Sequence, residues 1–137
     1  SLFSGYFAVS AVNTAVSKCT MSFTSALLKG ILCNFLVCIA VWMSFTAKDT
    51  AGKIIGLFFP IMLFVLCGFE HCVANMYYIP AGIMALSNPA YALSKIDTAG
   101  LTWTAFFVRN LIPVTIGNLI GGFAVGTAYW YAYLRNK

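Results

Sequence analysis

Residues Ile54 to Leu86 form one long apolar stretch, and the pair Glu70-His71 sits in its middle. The histidine is the chain's single one. A titratable group in hydrocarbon costs several kcal/mol or more unless it faces protein or water, so the pair reads first as a functional site. The stretch also far exceeds the ~20 residues that cross a ~30 Å hydrocarbon core. Pro60, Gly68, Pro80 and Gly82 punctuate it. A helix broken near 68–72 accounts for all of these features, and a continuous, tilted, Pro-kinked helix is the alternative. Broken backbone survives at membrane depth only where it is buried in protein or lines a wet cavity. Half-helix ends near the midplane are a recurrent way to build ion and substrate sites.

The remainder of the chain agrees with a membrane setting. Of its 137 residues, 61% are hydrophobic and 8% charged, against about 25% charged in soluble domains. The formal charge of +5 comes from eight basic and three acidic residues. They form no basic cluster, so nucleic-acid binding is not expected. Cys19, Cys33, Cys38, Cys67 and Cys72 all fall in apolar segments without CxxC spacing. They read as small core residues rather than disulfides or metal ligands, and no cofactor is expected. The chain starts Ser1-Leu2-Phe3 with no visible signal peptide, so a piece of a longer protein is expected.

Three passes follow from the pattern, giving an all-α membrane protein. Residues 1–17 read as the end of a preceding span plus a loop or short surface helix. The first span is expected at about 19–45, interrupted only by Lys29. A polar turn at 47–53 leads to the second span, 54–86, broken near 68–72. A polar external segment at 87–102 carries Lys95 and Asp97, and the last span covers about 104–134. That span holds two GxxxG pairs, Gly117/Gly121 and Gly122/Gly126, which let helix backbones approach closely. Tyr129, Trp130, Tyr131 and Tyr133 suit an interfacial aromatic belt. Lys48, Lys53, Arg135 and Lys137 outweigh Lys18, Lys95 and Arg109, so the positive-inside rule puts the 47–53 turn and the C-terminus in the cytoplasm.

Three motifs coincide with one family. Gly30 through Met43 (GILCNFLVCIAVWM) resembles the fourth helix of the formate/nitrite transporter family. Pro60-Ile61-Met62-Leu63-Phe64-Val65 followed by Gly68-Phe69-Glu70-His71-Cys72-Val73-Ala74-Asn75-Met76 resembles its broken fifth helix. Asn110 through Gly122 (NLIPVTIGNLIGG) resembles its sixth. The resemblance implies that residues 1–137 are the C-terminal half of a six-helix channel protomer, the second inverted repeat of an aquaporin-like fold. It further implies a homopentamer in lipid, of bacterial inner-membrane type, with one pore per protomer for small monovalent anions such as formate, nitrite, hydrosulfide or lactate. The N-terminal half would be a partner: either it was lost or it is a separate chain.

The resemblance assigns residues as well. His71 matches the central pore histidine. Its ordinary pKa near 6.5 lets modest shifts change its charge. It either donates a proton to a weak-acid anion, so that a neutral species crosses, or stays neutral and donates a hydrogen bond. Glu70 would not share a helix face with its neighbour, and a carboxylate would repel anions, so it reads as support for the break. Asn34 matches a position close to the central histidine and is expected to hydrogen-bond in the pore. Asn75, one turn after His71, either contributes there or braces the second half-helix; structural support is its assignment. Val37 and Phe64 match apolar constrictions that exclude hydrated ions; Phe64 would share a face with His71, seven residues on, if the half-helix were regular. Lys18 matches a vestibule lysine that raises the local anion concentration, with an interfacial snorkelling lysine as the plain reading. Lys29 has no firm role.

Two other functions remain open at this point. A membrane-embedded enzyme would use His71 and Glu70 as an acid–base pair, though no nucleophile constellation, metal spacing or cofactor loop accompanies them. A non-conducting assembly subunit would suit the half-length chain and its GxxxG-rich helix.

Overall fold

The computed structural model describes residues 2–88 and 97–135. Among them are helices α1 (Leu2–Cys19), α2 (Phe23–Thr46), α3 (Thr50–Leu66), α4 (Cys72–Leu86) and α5 (Trp103–Leu134), with no strand among the described residues. Within α5, Phe106–Leu111 and Trp130–Leu134 are π-helical. Three of the helix starts, those of α2, α3 and α5, are marked by capping side chains. The Ser25 N–H donates to Ser22 Oγ at 3.3 Å, the Gly52 N–H to Asp49 Oδ1 at 2.8 Å, and the Ala105 N–H to Thr102 Oγ1 at 3.0 Å. Each such cap satisfies one of the donors a helix start leaves open and contributes about 1 kcal/mol.

The Ser22 cap moves the first boundary. Residues 2–19 make one continuous helix rather than a span end with a loop, and the expected span at 19–45 begins at Phe23. Cys19 is therefore the buried last residue of α1. Lys95 and Lys137, both used for the charge asymmetry, lie outside the described residues, as does 89–96 of the polar segment.

Length separates the helices. α2 has 24 residues and α5 has 32, and both are apolar and long enough to cross a membrane. α3 and α4 have 17 and 15 residues, or ~26 and ~22 Å, short of a ~30 Å core. They are two pieces of one interrupted run.

The chain divides into two compact units, Ser1–Ala26 with Cys72–Pro113 and Leu27–His71 with Val114–Lys137. In the first, α1 packs on α4. A Cβ on Gly82 would overlap Ala15 Cβ and come within 2.9 Å of the Ala11 carbonyl oxygen. Val12, Ala15, Cys19, Ile79, Leu101, Ala105 and Phe106 form its core.

In the second unit α2 crosses the later half of α5 at glycines. A Cβ on Gly30 would lie 2.9 Å from the Val114 carbonyl oxygen, and one on Gly121 would lie 3.1 Å from the Phe35 nitrogen. Gly117 meets the α2 backbone at Leu27 and Ile31 in the same way. The second expected pair behaves differently. A Cβ on Gly122 would come nearest to the side chains of Asn34 and Cys38 rather than to backbone, and one on Gly126 would meet open space. One GxxxG register forms the seam and the other does not.

Candidate functional site

The break occupies residues 67–71, between α3 and α4. Its first half is a Schellman turn. The Phe69 N–H donates to the Phe64 carbonyl at 3.0 Å and the Gly68 N–H to the Val65 carbonyl at 3.1 Å, with Gly68 at φ +62°. That is the left-handed region, where only glycine sits without steric cost. Gly68 is thus the residue that stops the helix. Pro60 and Pro80, expected to help break it, lie inside α3 and α4. Proline is tolerated in membrane helices because neighbouring groups and local adjustments satisfy the carbonyl it frees.

After the turn, the chain is held by backbone contacts. The Glu70 N–H donates to the Lys29 carbonyl of α2 at 3.3 Å. The Glu70 carbonyl accepts from Asn118 Nδ2 of α5 at 3.0 Å, and the same nitrogen donates to the Gly30 carbonyl at 2.8 Å. Asn34 Nδ2 in turn donates to the Asn118 carbonyl at 2.7 Å. Carbonyl oxygens only accept, so both amides must present nitrogen to them. Glu70 is 3% exposed and Asn118 is 5% exposed. Lys29, which had no account, takes part through its backbone carbonyl.

His71 ends the break, half-buried, with its ring 6.1 Å from that of Phe64 and tilted by 51°. The expected reason for this proximity is corrected. No regular helix links the two residues, because α3 ends at Leu66 and the Gly68 turn lies between them. Asn34 is half-buried and borders an open groove of about 370 Å³ with Gly122, Gly126, Thr127 and Trp130. Val37 is half-buried one turn along α2. Phe64, His71, Glu70, Asn34 and Val37 all belong to one compact unit.

Lys18 and Asn75 belong to the other unit. Asn75 Nδ2 donates to Asn110 Oδ1 at 2.7 Å, and Asn110 Nδ2 donates to the Lys18 carbonyl at 3.1 Å. The terminal carbonyl fixes the direction of this relay. Asn75 and Asn110 are fully buried. Lys18, in the last turn of α1 rather than at the start of a span, holds its Nζ 5.8 Å from the Tyr78 ring centroid.

Asn110 and Asn118 were not among the residues singled out from the sequence. The signal was available: each is an amide in an apolar helix, where a polar side chain needs a partner, as Asn34 and Asn75 also do. The cysteines form no disulfide. Cys67 departs from the expected core position, because it is the exposed cap residue of α3. No group of three or more metal-ligating side chains occurs among the described residues.

Known proteins are similar to this chain in sequence and fold. The family profile described as Formate/nitrite transporter matches residues 1–131. A probable formate transporter of Methanothermobacter thermautotrophicus is 45% identical over 88% of this chain and 40% of its own length. The formate channel FocA of Escherichia coli K12 is 40% identical over 97% of this chain and 49% of its own. Among solved structures, a pentameric formate channel with formate bound superposes with a TM-score of 0.85 at 39% identity, covering 96% of this chain and 55% of that one. An ion channel of the same family gives 0.73 at 33% identity. The chain thus spans about half the length of the curated relatives it matches. With the family profile running through nearly all of its helices, the chain belongs to the formate/nitrite transporter family.

Proposed function

We propose that this chain is the C-terminal half of a membrane channel protomer that conducts small monovalent anions of the formate and nitrite class. The three-pass arrangement, with α3 and α4 as the two parts of a broken middle pass, would be the second inverted repeat of an aquaporin-like fold. His71 stands at the centre of the path, Phe64 and Val37 narrow it, Asn34 offers a polar contact and Lys18 attracts anions at the outer mouth. Glu70 and Asn75 support the break. The observation that carries this reading is the break itself: a glycine turn ends α3 and leaves His71 between two helices, each too short to cross the membrane alone.

The formate channels among the relatives support the substrate class, and the pentameric neighbour supports a homopentamer. Hydrosulfide belongs to the same proposal, as do proton coupling through His71, a cytoplasmic C-terminus and an N-terminal half supplied by the same protein or by a separate chain. The acid–base enzyme finds no support in the relatives reported above, each named as a transporter or channel.

The test is formate flux into liposomes across pH 5 to 8, with wild-type protein and His71→Ala. If a neutral species crosses, flux rises as external pH falls toward the histidine range of about 6.5, and His71→Ala flattens that rise. An unchanged pH profile and anion selectivity in His71→Ala would sink the central-histidine mechanism.

A further inference from the structure

We propose that Asn118 is the positioning residue of this site: its side-chain amide fixes the peptide plane on which His71 is presented. The inference rests on the reading of His71 as the central pore group. Its starting point is the geometry of one carbonyl. The Glu70 carbonyl oxygen, 3.0 Å from Asn118 Nδ2, shares a rigid peptide plane with the His71 N–H. Holding that oxygen sets the orientation of the plane leading into His71, and only the single-bond torsions beyond it stay adjustable.

Two further hydrogen bonds and the close packing of its neighbours make Asn118 a fixed point. Its nitrogen also donates to the Gly30 carbonyl at 2.8 Å, which ties the same amide to α2. Its own carbonyl accepts from Asn34 Nδ2 at 2.7 Å. On either side of it in sequence, Gly117 and Gly121 bring α5 against the α2 backbone, with no room for a Cβ at either. Flipping the amide would set oxygen against two carbonyl oxygens. At 5% exposure, water has little access to replace the lost bonds. The Glu70 N–H bond to the Lys29 carbonyl holds the preceding plane. Both peptide planes flanking Glu70 are therefore anchored, one to α2 directly and one to α2 and α5 through Asn118.

This assigns Asn34 a second duty. Its amide nitrogen holds Asn118, so the side chain expected to face the anion is also part of the frame that orients the histidine.

The experiment uses the protein that carries this chain, reconstituted in liposomes with formate as probe. Asn118→Leu removes both donors at similar volume, and Asn118→Ser keeps one. Asn118→Leu is expected to move the pH midpoint of formate flux by about half a unit or more. It is also expected to raise hydrogen exchange in the 67–72 backbone roughly tenfold. Asn118→Ser should fall between it and the wild type in both readouts. His71→Ala is run alongside. If His71→Ala changes the pH profile while Asn118→Leu alters neither midpoint nor exchange, the positioning role is overturned and the central-histidine reading stands. If His71→Ala leaves the profile unchanged, that reading fails and the proposal with it. Failure of both Asn118 variants to assemble also overturns it, because the residue would then be a folding element.

Discussion

Lys18 shows how a single residue in this protein is held at two points, one on its main chain and one on its side chain. Its carbonyl accepts from Asn110, and its ammonium lies 5.8 Å from the Tyr78 ring centroid. A cation that concentrates anions at a mouth acts through a field that salt screens within ~10 Å at 0.1 M. Lys18→Gln should therefore lower formate uptake severalfold at low ionic strength and converge on the wild type in molar salt. Equal deficits at both salt concentrations would argue against an electrostatic role. His71 drew attention in the sequence because an ionisable group in apolar surroundings is conspicuous whatever its partners. The asparagine network was not legible in the same way. Asn75 with Asn110, and Asn34 with Asn118, pair across 35 and 84 positions of chain. A buried amide announces that it needs a partner, while a single sequence does not say which.

The break in the middle helix is the element on which the rest depends, and one glycine makes it. At φ +62° a Cβ costs about 1–2 kcal/mol. Gly68→Ala should lower stability by about that amount, read as a fall in thermal midpoint of the detergent-solubilised protein. An unchanged midpoint would mean that the turn relaxes without the left-handed residue. The break was readable from Gly68 and Glu70-His71 together. The two prolines pointed to it for the wrong reason, since helix interiors in this chain accommodate them. The glycines of α5 make a second comparison. A leucine at Gly121 would drive atoms into the Ile31–Phe35 backbone, whereas Gly126 has nothing within 4 Å. Gly121→Leu should destabilise by about 1–3 kcal/mol or more, and Gly126→Leu should be close to neutral by the same thermal measurement. Comparable losses in both would show that the Gly126 face is packed in the working protein. Spacing alone gave these two registers equal weight; the facing helix separates them.

For the whole molecule, the matched relatives are about twice as long as this chain, which covers 40% to 49% of two of them. A path for ions needs walls on all sides, so we expect this chain alone in liposomes to give no formate flux above protein-free vesicles. Flux should appear when a first half of the family type is supplied in the same membrane. Conduction by this chain alone would require pore walls built entirely from its own copies. The all-helical class and the two helices long and apolar enough to cross a membrane were readable from apolar length, because crossing a bilayer is a demand on composition. The helix boundaries depended on caps such as Ser22, whose effect is local and easily overlooked beside long apolar runs. At the other end of α2, Trp42 stacks on Tyr129 with centroids 4.1 Å apart and also lies 5.9 Å from Tyr133. With Trp103 and Trp130 replaced by phenylalanine, the remaining indole becomes an optical reporter of the α2–α5 seam. Its emission is set by the two phenols beside it, so a widening of the seam becomes visible as light without a label being attached.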